Sequence, residues 1–228
     1  MGTFPVSWQM GTDLPSVNRT LKTDVFGSIS RVGDHVVRDA RHARPWARAI
    51  ARHLMRREHR ALTRLALGKG IEGIPRVFEY RADLLTRGWI EGSPMHVAKP
   101  RDPAYFRAAF RLLRRLHAAR VIHNDLAKET NWLVTPDSRP ALVDFQLAMT
   151  LTRRGALARS LAHDDIRHLL KHKRTYLPER LSAREKRILA TPSLLSRAWM
   201  ASGKKVYLFV TRRILHWRDR EGAGDRMA

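Results

Sequence analysis

The sequence contains no cysteine. That excludes disulfides, thiolate nucleophiles and cysteine-held zinc or iron–sulfur centres, and leaves carboxylates, histidine and lysine for chemistry. Acid is scarce as well: 21 Asp and Glu stand against 44 Lys and Arg, for a formal charge of +23 and a pI near 11.6. Such a balance favours contact with polyanions such as phosphorylated lipid, nucleic acid or nucleotide. An arginine-rich, well-solvated surface gives the same count, because the basic residues are spread along the chain. Long apolar runs are missing too. Met1 to Met10 shows no charged stretch followed by an apolar core, and the myristoylation pattern fails at Val6. Val206 to Val210 is far too short to span a bilayer. The expectation is a cytoplasmic protein whose membrane contact is peripheral, at the inner face.

With 13 Gly, 11 Pro and 43% hydrophobic residues among 228, the chain is long enough to bury a substantial core as one domain or two joined lobes. Residues 20–40 alternate apolar stretches with turn residues and predict two or three short antiparallel strands. Pro45 then opens a helix whose apolar spacing runs to Leu65, before Gly68. Glu58 falls in the middle of that helix's apolar stripe, among Ala51, Leu54, Met55, Ala61, Leu62 and Leu65. A carboxylate there calls for a cationic partner, or else snorkels at the edge of the face.

Ile74–Tyr80 and Arg87–Ile90 read as further strands, and Glu91-Gly92-Ser93-Pro94 as a hinge. A second helix begins near Pro103, with Phe106, Ala109, Phe110, Leu113 and Leu116 on its apolar face. Two short strands, 131–134 and 141–145, form a hairpin around Thr135–Pro140. From about 155 the chain reads as helices, broken at Leu177-Pro178 and restarted by a Ser182 cap. Asp164 and Asp165 read as favourable charge at a helix N-terminus, with support of a neighbouring loop as the alternative. His168 and His172, one turn apart without a third ligand, are expected at the surface.

The chemistry concentrates in Val121-Ile122-His123-Asn124-Asp125-Leu126-Ala127-Lys128-Glu129-Thr130-Asn131, followed by Asp144 thirteen residues later. Folding the hairpin back brings Asn131 beside Asp144 as a pair of oxygen ligands suited to magnesium. His123-Asn124-Asp125-Leu126 with Asn131, then Asp144-Phe145-Gln146, resembles the catalytic loop and metal-binding turn of protein kinases. The wording is most similar to bacterial lipopolysaccharide-kinase and RIO-type proteins, over roughly residues 24–180.

The resemblance implies an α+β, two-lobed kinase-like fold: an N-lobe over 1–91, a mostly helical C-lobe over 92–200 and a basic tail over 201–228. It implies ATP and magnesium as cofactors, Asp125 as base, Lys128 on the γ-phosphate, His123 bracing the loop, and Asn131 and Asp144 on the metal. Gly27, Ser28 and Ser30 take the place of an abbreviated phosphate-covering loop. Arg38 takes the place of the strand lysine, Glu58 that of its helix partner, and Glu91 lies in the nucleotide cleft near 90–95.

Three departures stand out. Asp125 and Asn131 are six apart rather than five, Arg38 replaces a lysine, and Gln146 replaces a glycine. The function implied is phosphorylation of a hydroxyl, on protein Ser/Thr or on a lipopolysaccharide-type sugar. The alternatives are a pseudokinase, or a basic module for anionic membrane or RNA whose surface is Lys204, Lys205, Arg212, Arg213 and Arg218. Nucleic acid is the less favoured partner.

Overall fold

The computed structural model describes residues 18–68, 70–153 and 155–191. The basic tail, with its interfacial-helix expectation, lies outside the described residues.

Strands β1 (Asn18–Asp24), β2 (Gly27–Val32) and β3 (His35–Asp39) form an antiparallel meander, as the turn residues predict. Helix α1 (Pro45–Leu65) follows, and then β4 (Val77–Arg81) and β5 (Leu84–Gly88) complete a five-stranded sheet in the order β1-β2-β3-β5-β4. The sheet corrects the expected strand pair. β4 starts at Val77, not Ile74, whose side chain joins the larger core instead. β5 lies at 84–88, not 87–90, because Leu84 and Leu85 pair with Asp39 and Arg38 of β3.

Gly27 is required where it stands. Its φ is +116°, and a Cβ there would lie 2.1 Å from the Asp39 carbonyl oxygen, so no side chain fits between β2 and β3. The glycine therefore serves strand packing, and the turn itself is Val25-Phe26, held by the Phe26 amide donating to Asp24 Oδ1 at 2.8 Å.

Strand β6 (Ser93–Pro94) and the short helix α2 (Met95–Ala98) lead into α3 (Pro103–Ala118). On α3, Asp102 caps the N-terminus by accepting from the Ala104 amide at 2.7 Å. Its buried face is Tyr105, Phe106, Ala109, Leu112, Leu113 and Leu116, while Phe110 is only partly covered. Strands β7 (Val121–Ile122), β8 (Trp132–Val134), β9 (Pro140–Leu142) and β10 (Met149–Thr150) frame the predicted loop, with β8–β9 as the expected hairpin and β10 paired to β7. β6 pairs with β8, so the linker after Gly92 is already part of the second lobe's sheet.

Helix α4 (Ala156–Tyr176) begins nine residues before Asp165, so Asp164 and Asp165 lie within it and do not open it. The break at Leu177-Pro178 is present, and Ser182 caps α5 (Ala183–Ala190) in a reciprocal capping box with Glu185.

Two apolar clusters hold the molecule. The smaller, Ala40, Ala43, Ala51, Met55 and Leu85, ties the first half of α1 to the sheet. The larger gathers the α1 end (Ala61, Leu62, Leu65) with α3, Trp132, Phe145 and Leu169. Helix α1 thus belongs to both lobes, an arrangement reinforced by Arg57 donating to the Leu147 and Ala148 carbonyls and Arg64 to the Ala119 carbonyl.

Candidate active site

Glu58 has no exposed surface, as its place in the apolar stripe predicts, and it does have a cationic partner. Arg38 Nη1 on β3 donates to its Oε2 at 2.8 Å. A second partner is new: Arg87 on β5 places Nε 3.0 Å from Oε1. The same Arg38 reaches toward Asp144, Nη2 standing 3.7 Å from Oδ1. Burial alone disfavours the Arg38 cation, but Glu58, Asp144 and Asp24 together hold its pKa above the usual arginine value.

Across the cleft, Asn131 ends a short 3-10 turn (Glu129–Asn131), and its Nδ2 donates to the Asp125 carbonyl at 2.8 Å and to Asp125 Oδ2 at 3.0 Å. Lys128 Nζ lies 3.4 Å from the same Oδ2. The extra residue lies between Asp125 and Lys128, where the chain turns at 126–127, and Glu129 at the start of the 3-10 turn points inward to accept from Tyr176 Oη at 2.5 Å. Burial pushes the Asp125 carboxyl above the ordinary range, with Asp144 adding to the shift and Lys128 opposing it.

His123 braces the loop as expected, Nε2 donating to the Val143 carbonyl at 3.0 Å while the ring packs on Phe145, centroids 4.6 Å apart. Val143 in turn donates to the Asn131 carbonyl, which fixes Asn131 and Asp144 on adjacent strand ends. Asn124 and Asp144 both adopt positive φ, 64° and 63°, a costly backbone for residues with side chains and one that clusters at functional sites. Gln146 Nε2 approaches Asp144 Oδ2 at 3.3 Å, so the residue that replaces glycine holds the acid in place.

Asp165, read from sequence as a helix-end charge, sits beneath this loop. It is buried, and its two oxygens accept from the His123 and Asn124 amides at 2.9 and 3.0 Å, with His117 Nε2 3.2 Å away. His172 is also buried, not superficial: its Nε2 donates to the Leu126 carbonyl at 2.8 Å. His168 is largely enclosed, and burial, aided by Lys171, pushes its pKa down to about 4. A signal for Asp165 and His172 was available. Leu161, Asp165, Leu169, His172 and Tyr176 share one face of α4, the same pattern that singles out Glu58 on α1.

The structure draws Arg38, Glu58, Asp125, Lys128, Asn131, His123 and Asp144 into one contact network. Ser28 and Ser30 are placed differently. They pair with Asp39 and Val37, so strand alternation turns their side chains to the face opposite Ile29 and Arg38. Glu91 is largely exposed and accepts from Trp89 Nε1 at 2.7 Å, with Arg31 Nη2 at 3.4 Å and the Arg31 guanidinium 4.3 Å over the Trp89 ring.

The oxygen set suits a hard divalent cation. Asp144 Oδ1 is buried without a hydrogen-bond donor, and the Asn131 amide oxygen is the acceptor left once its nitrogen is committed to Asp125. Among the described residues no three His, Cys, Asp or Glu side chains converge on a point. Magnesium there would complete its shell from water and phosphate oxygens, as it usually does.

Comparison with known proteins agrees with this geometry. A family model described as the RIO domain matches residues 19–185, while no curated protein matches the chain. The match spans the sheet, α1, the catalytic-type loop and α4, the elements that build the network above. The chain therefore belongs to the RIO family of kinase-like phosphotransferases.

Proposed function

We propose that this chain is a working ATP- and magnesium-dependent kinase that phosphorylates a hydroxyl, either of protein Ser/Thr or of a lipopolysaccharide-type sugar. The observation that carries the reading is the joining of Arg38 and Glu58 to Asp144 on one side of the cleft and of Asn131 and Lys128 to Asp125 on the other. Catalysis of this transfer consists mainly of positioning and charge neutralisation, for which these groups suffice.

In this reading Asp144 and Asn131 would hold magnesium, which would supply positive charge to offset that of the phosphates. Arg38 and Lys128 supply fixed positive charge to the phosphates. The acceptor oxygen forms a bond to the γ-phosphorus, the bond to the β–γ bridging oxygen breaks, and ADP departs. Asp125 takes the acceptor proton, a task suited to a carboxylate whose basicity burial has raised. The linker near residue 91 is taken as the nucleotide-base end of the cleft, a reading supported by the ordered Arg31–Trp89 stack and the Trp89–Glu91 hydrogen bond beside it. Gly27, Ser28 and Ser30 shape the hairpin above it through the strand, not through side-chain contacts to phosphate.

The test is transfer of label from γ-labelled ATP with magnesium into fractionated protein and lipid extracts. Asp125→Asn is expected to lower transfer about 10²- to 10⁴-fold while nucleotide binding persists. Transfer by that variant at the wild-type rate sinks the assignment.

One observation favours a second reading, a pseudokinase. Arg38 lies close enough to Asp144 to neutralise it in the absence of metal. Nucleotide binding that is unchanged by magnesium or chelator, with no transfer to any fraction, is the outcome that selects it.

A further inference from the structure

A cleft of about 310 Å³ opens where the end of α3, strand β7, the segment after β10 and the first turns of α4 meet. Its floor is apolar, built from Ile122, Leu151, Ala158 and Ala162, and its rim carries Arg114, Arg120, Arg153 and Arg159. No carboxylate lines it.

Most described arginines lack an ion pair, as the formal charge of +23 requires; here Arg114, Arg120, Arg153 and Arg159, none of them ion-paired among the described residues, converge on one apolar concavity. Arg120 is the one held in place. Its Nη1 donates to the Thr152 carbonyl at 2.5 Å, its own carbonyl accepts from Leu151, and its φ is 59°. The positive φ is that of the left-handed residue that ends α3, and the Thr152 bond holds the guanidinium beside the cleft. Four uncompensated cations around one concavity repel each other, and an anion bound among them relieves that repulsion with charge-assisted hydrogen bonds. The first turn of α4 adds to the same field, since Gly155 caps it without a side chain and no acid stands in that turn.

We propose that this cleft is an anion site for a phosphate monoester carrying a small apolar body. The guanidinium forks suit phosphate oxygens, the floor suits the apolar part, and the volume suits a small molecule or one lipid headgroup. It is separate from the nucleotide cleft, since none of Arg38, Asp125, Asn131 or Asp144 lines it. It nonetheless adjoins the catalytic-type loop. His117 is part of its wall and touches Asp165, the carboxylate that holds the His123 and Asn124 amides.

The experiment titrates phenyl phosphate into the full chain at fixed ionic strength, with a magnesium-bound non-hydrolysable ATP analogue in excess to fill the other phosphate-binding cleft. It compares wild type, Arg114→Ala/Arg159→Ala, and the charge-matched control Arg107→Ala/Arg184→Ala, whose arginines lie outside the cleft. A parallel arm measures co-sedimentation with phosphatidylcholine vesicles with and without phosphatidic acid.

Saturable binding that weakens at least tenfold in the cleft variant and stays unchanged in the control supports a soluble phosphate ester. Vesicle binding that needs phosphatidic acid and follows the same variant pattern, without affinity for phenyl phosphate, assigns the phosphate to a lipid. Equal weakening in both variants, or none in the cleft variant, overturns the proposal. Because the variant comparison decides the result, failure of the chain to bind the ATP analogue would sink the kinase reading without touching this one.

Discussion

Replacing Glu58 by Gln isolates the charge at the centre of the candidate site while keeping the shape of the side chain. The carboxylate is fully buried and lies 2.8 Å from Arg38 and 3.0 Å from Arg87. At an effective dielectric near 20, each pair at about 4 Å between charge centres is worth about 4 kcal/mol gross. Much of that offsets the several kcal/mol spent in desolvating each ion. Removing only the negative charge leaves two guanidiniums in a poorly solvated site, and such breakage costs about 3–5 kcal/mol. The amide oxygen of Gln still accepts one bond from Arg38, so the lower end, about 3 kcal/mol, is expected. At about 2–4 °C per kcal/mol for a domain of this size, the melting temperature should fall by about 6–12 °C.

The assay is a thermal melt by circular dichroism, repeated in 1 M salt, where a buried pair is screened far less than a surface one. Arg87→Met alone should cost less, because Glu58 keeps Arg38. Glu58→Gln/Arg87→Met should be more stable than Glu58→Gln, since one of the stranded charges is gone. A Glu58→Gln melt within about 2 °C of wild type, or a double variant less stable than the single, would refute the account.

Three other outcomes follow from the same geometry. Asp165→Asn leaves one of the two loop amides facing an NH₂ group in place of an oxygen, so stability should drop by about 1–3 kcal/mol. Phosphoryl transfer should fall about tenfold with nucleotide affinity retained; loss of nucleotide binding alone would contradict a role under the loop. His168 has its pKa lowered from 6.5 to about 4, so the unfolded chain binds its proton first as pH falls. Its contribution is present above pH 6.5 and lost toward pH 4, by about 3 kcal/mol in all. His168→Gln should flatten that stretch of the stability–pH curve, and an unchanged slope in urea melts would argue against a buried neutral imidazole. Gly27→Ala forces a Cβ onto the Asp39 carbonyl at positive φ, whereas Gly33→Ala, with φ +57° and open space, meets no atom. The first should abolish cooperative folding of the hairpin and the second cost about 1 kcal/mol, as read by amide exchange in β2.

Helix α1 was legible to the residue at both ends, because Pro45 and the apolar spacing are local signals. Asn131 and Asp144 were legible as neighbours because a single hairpin joins them. Arg87 was not. Its relation to Glu58 links a strand to a distant helix, and the strand carrying it was read three residues late, leaving Leu84 and Leu85 unassigned. For Asp165, support of the loop stood only as the alternative to helix-end charge, for a different reason. The start of α4 at Ala156 has no side-chain cap to announce it, so the acid pair was mistaken for the helix's beginning. Ser28 and Ser30 were legible as strand, but the phosphate-covering role that the resemblance implied for them was not tied to a side-chain direction, which only the pairing with β3 gives.

Helix α1 is fastened to the second lobe by Arg57 and Arg64 and by the shared core around Leu62 and Leu65. A ligand that needs Arg38, Glu58 and Asp144 together finds its apparent affinity scaled by the fraction of molecules already holding that arrangement. Contacts that pin the helix to both lobes favour that arrangement and raise the fraction. The apparent dissociation constant of such a ligand then moves toward its intrinsic value, and an effector acting by swinging α1 has less population left to recruit.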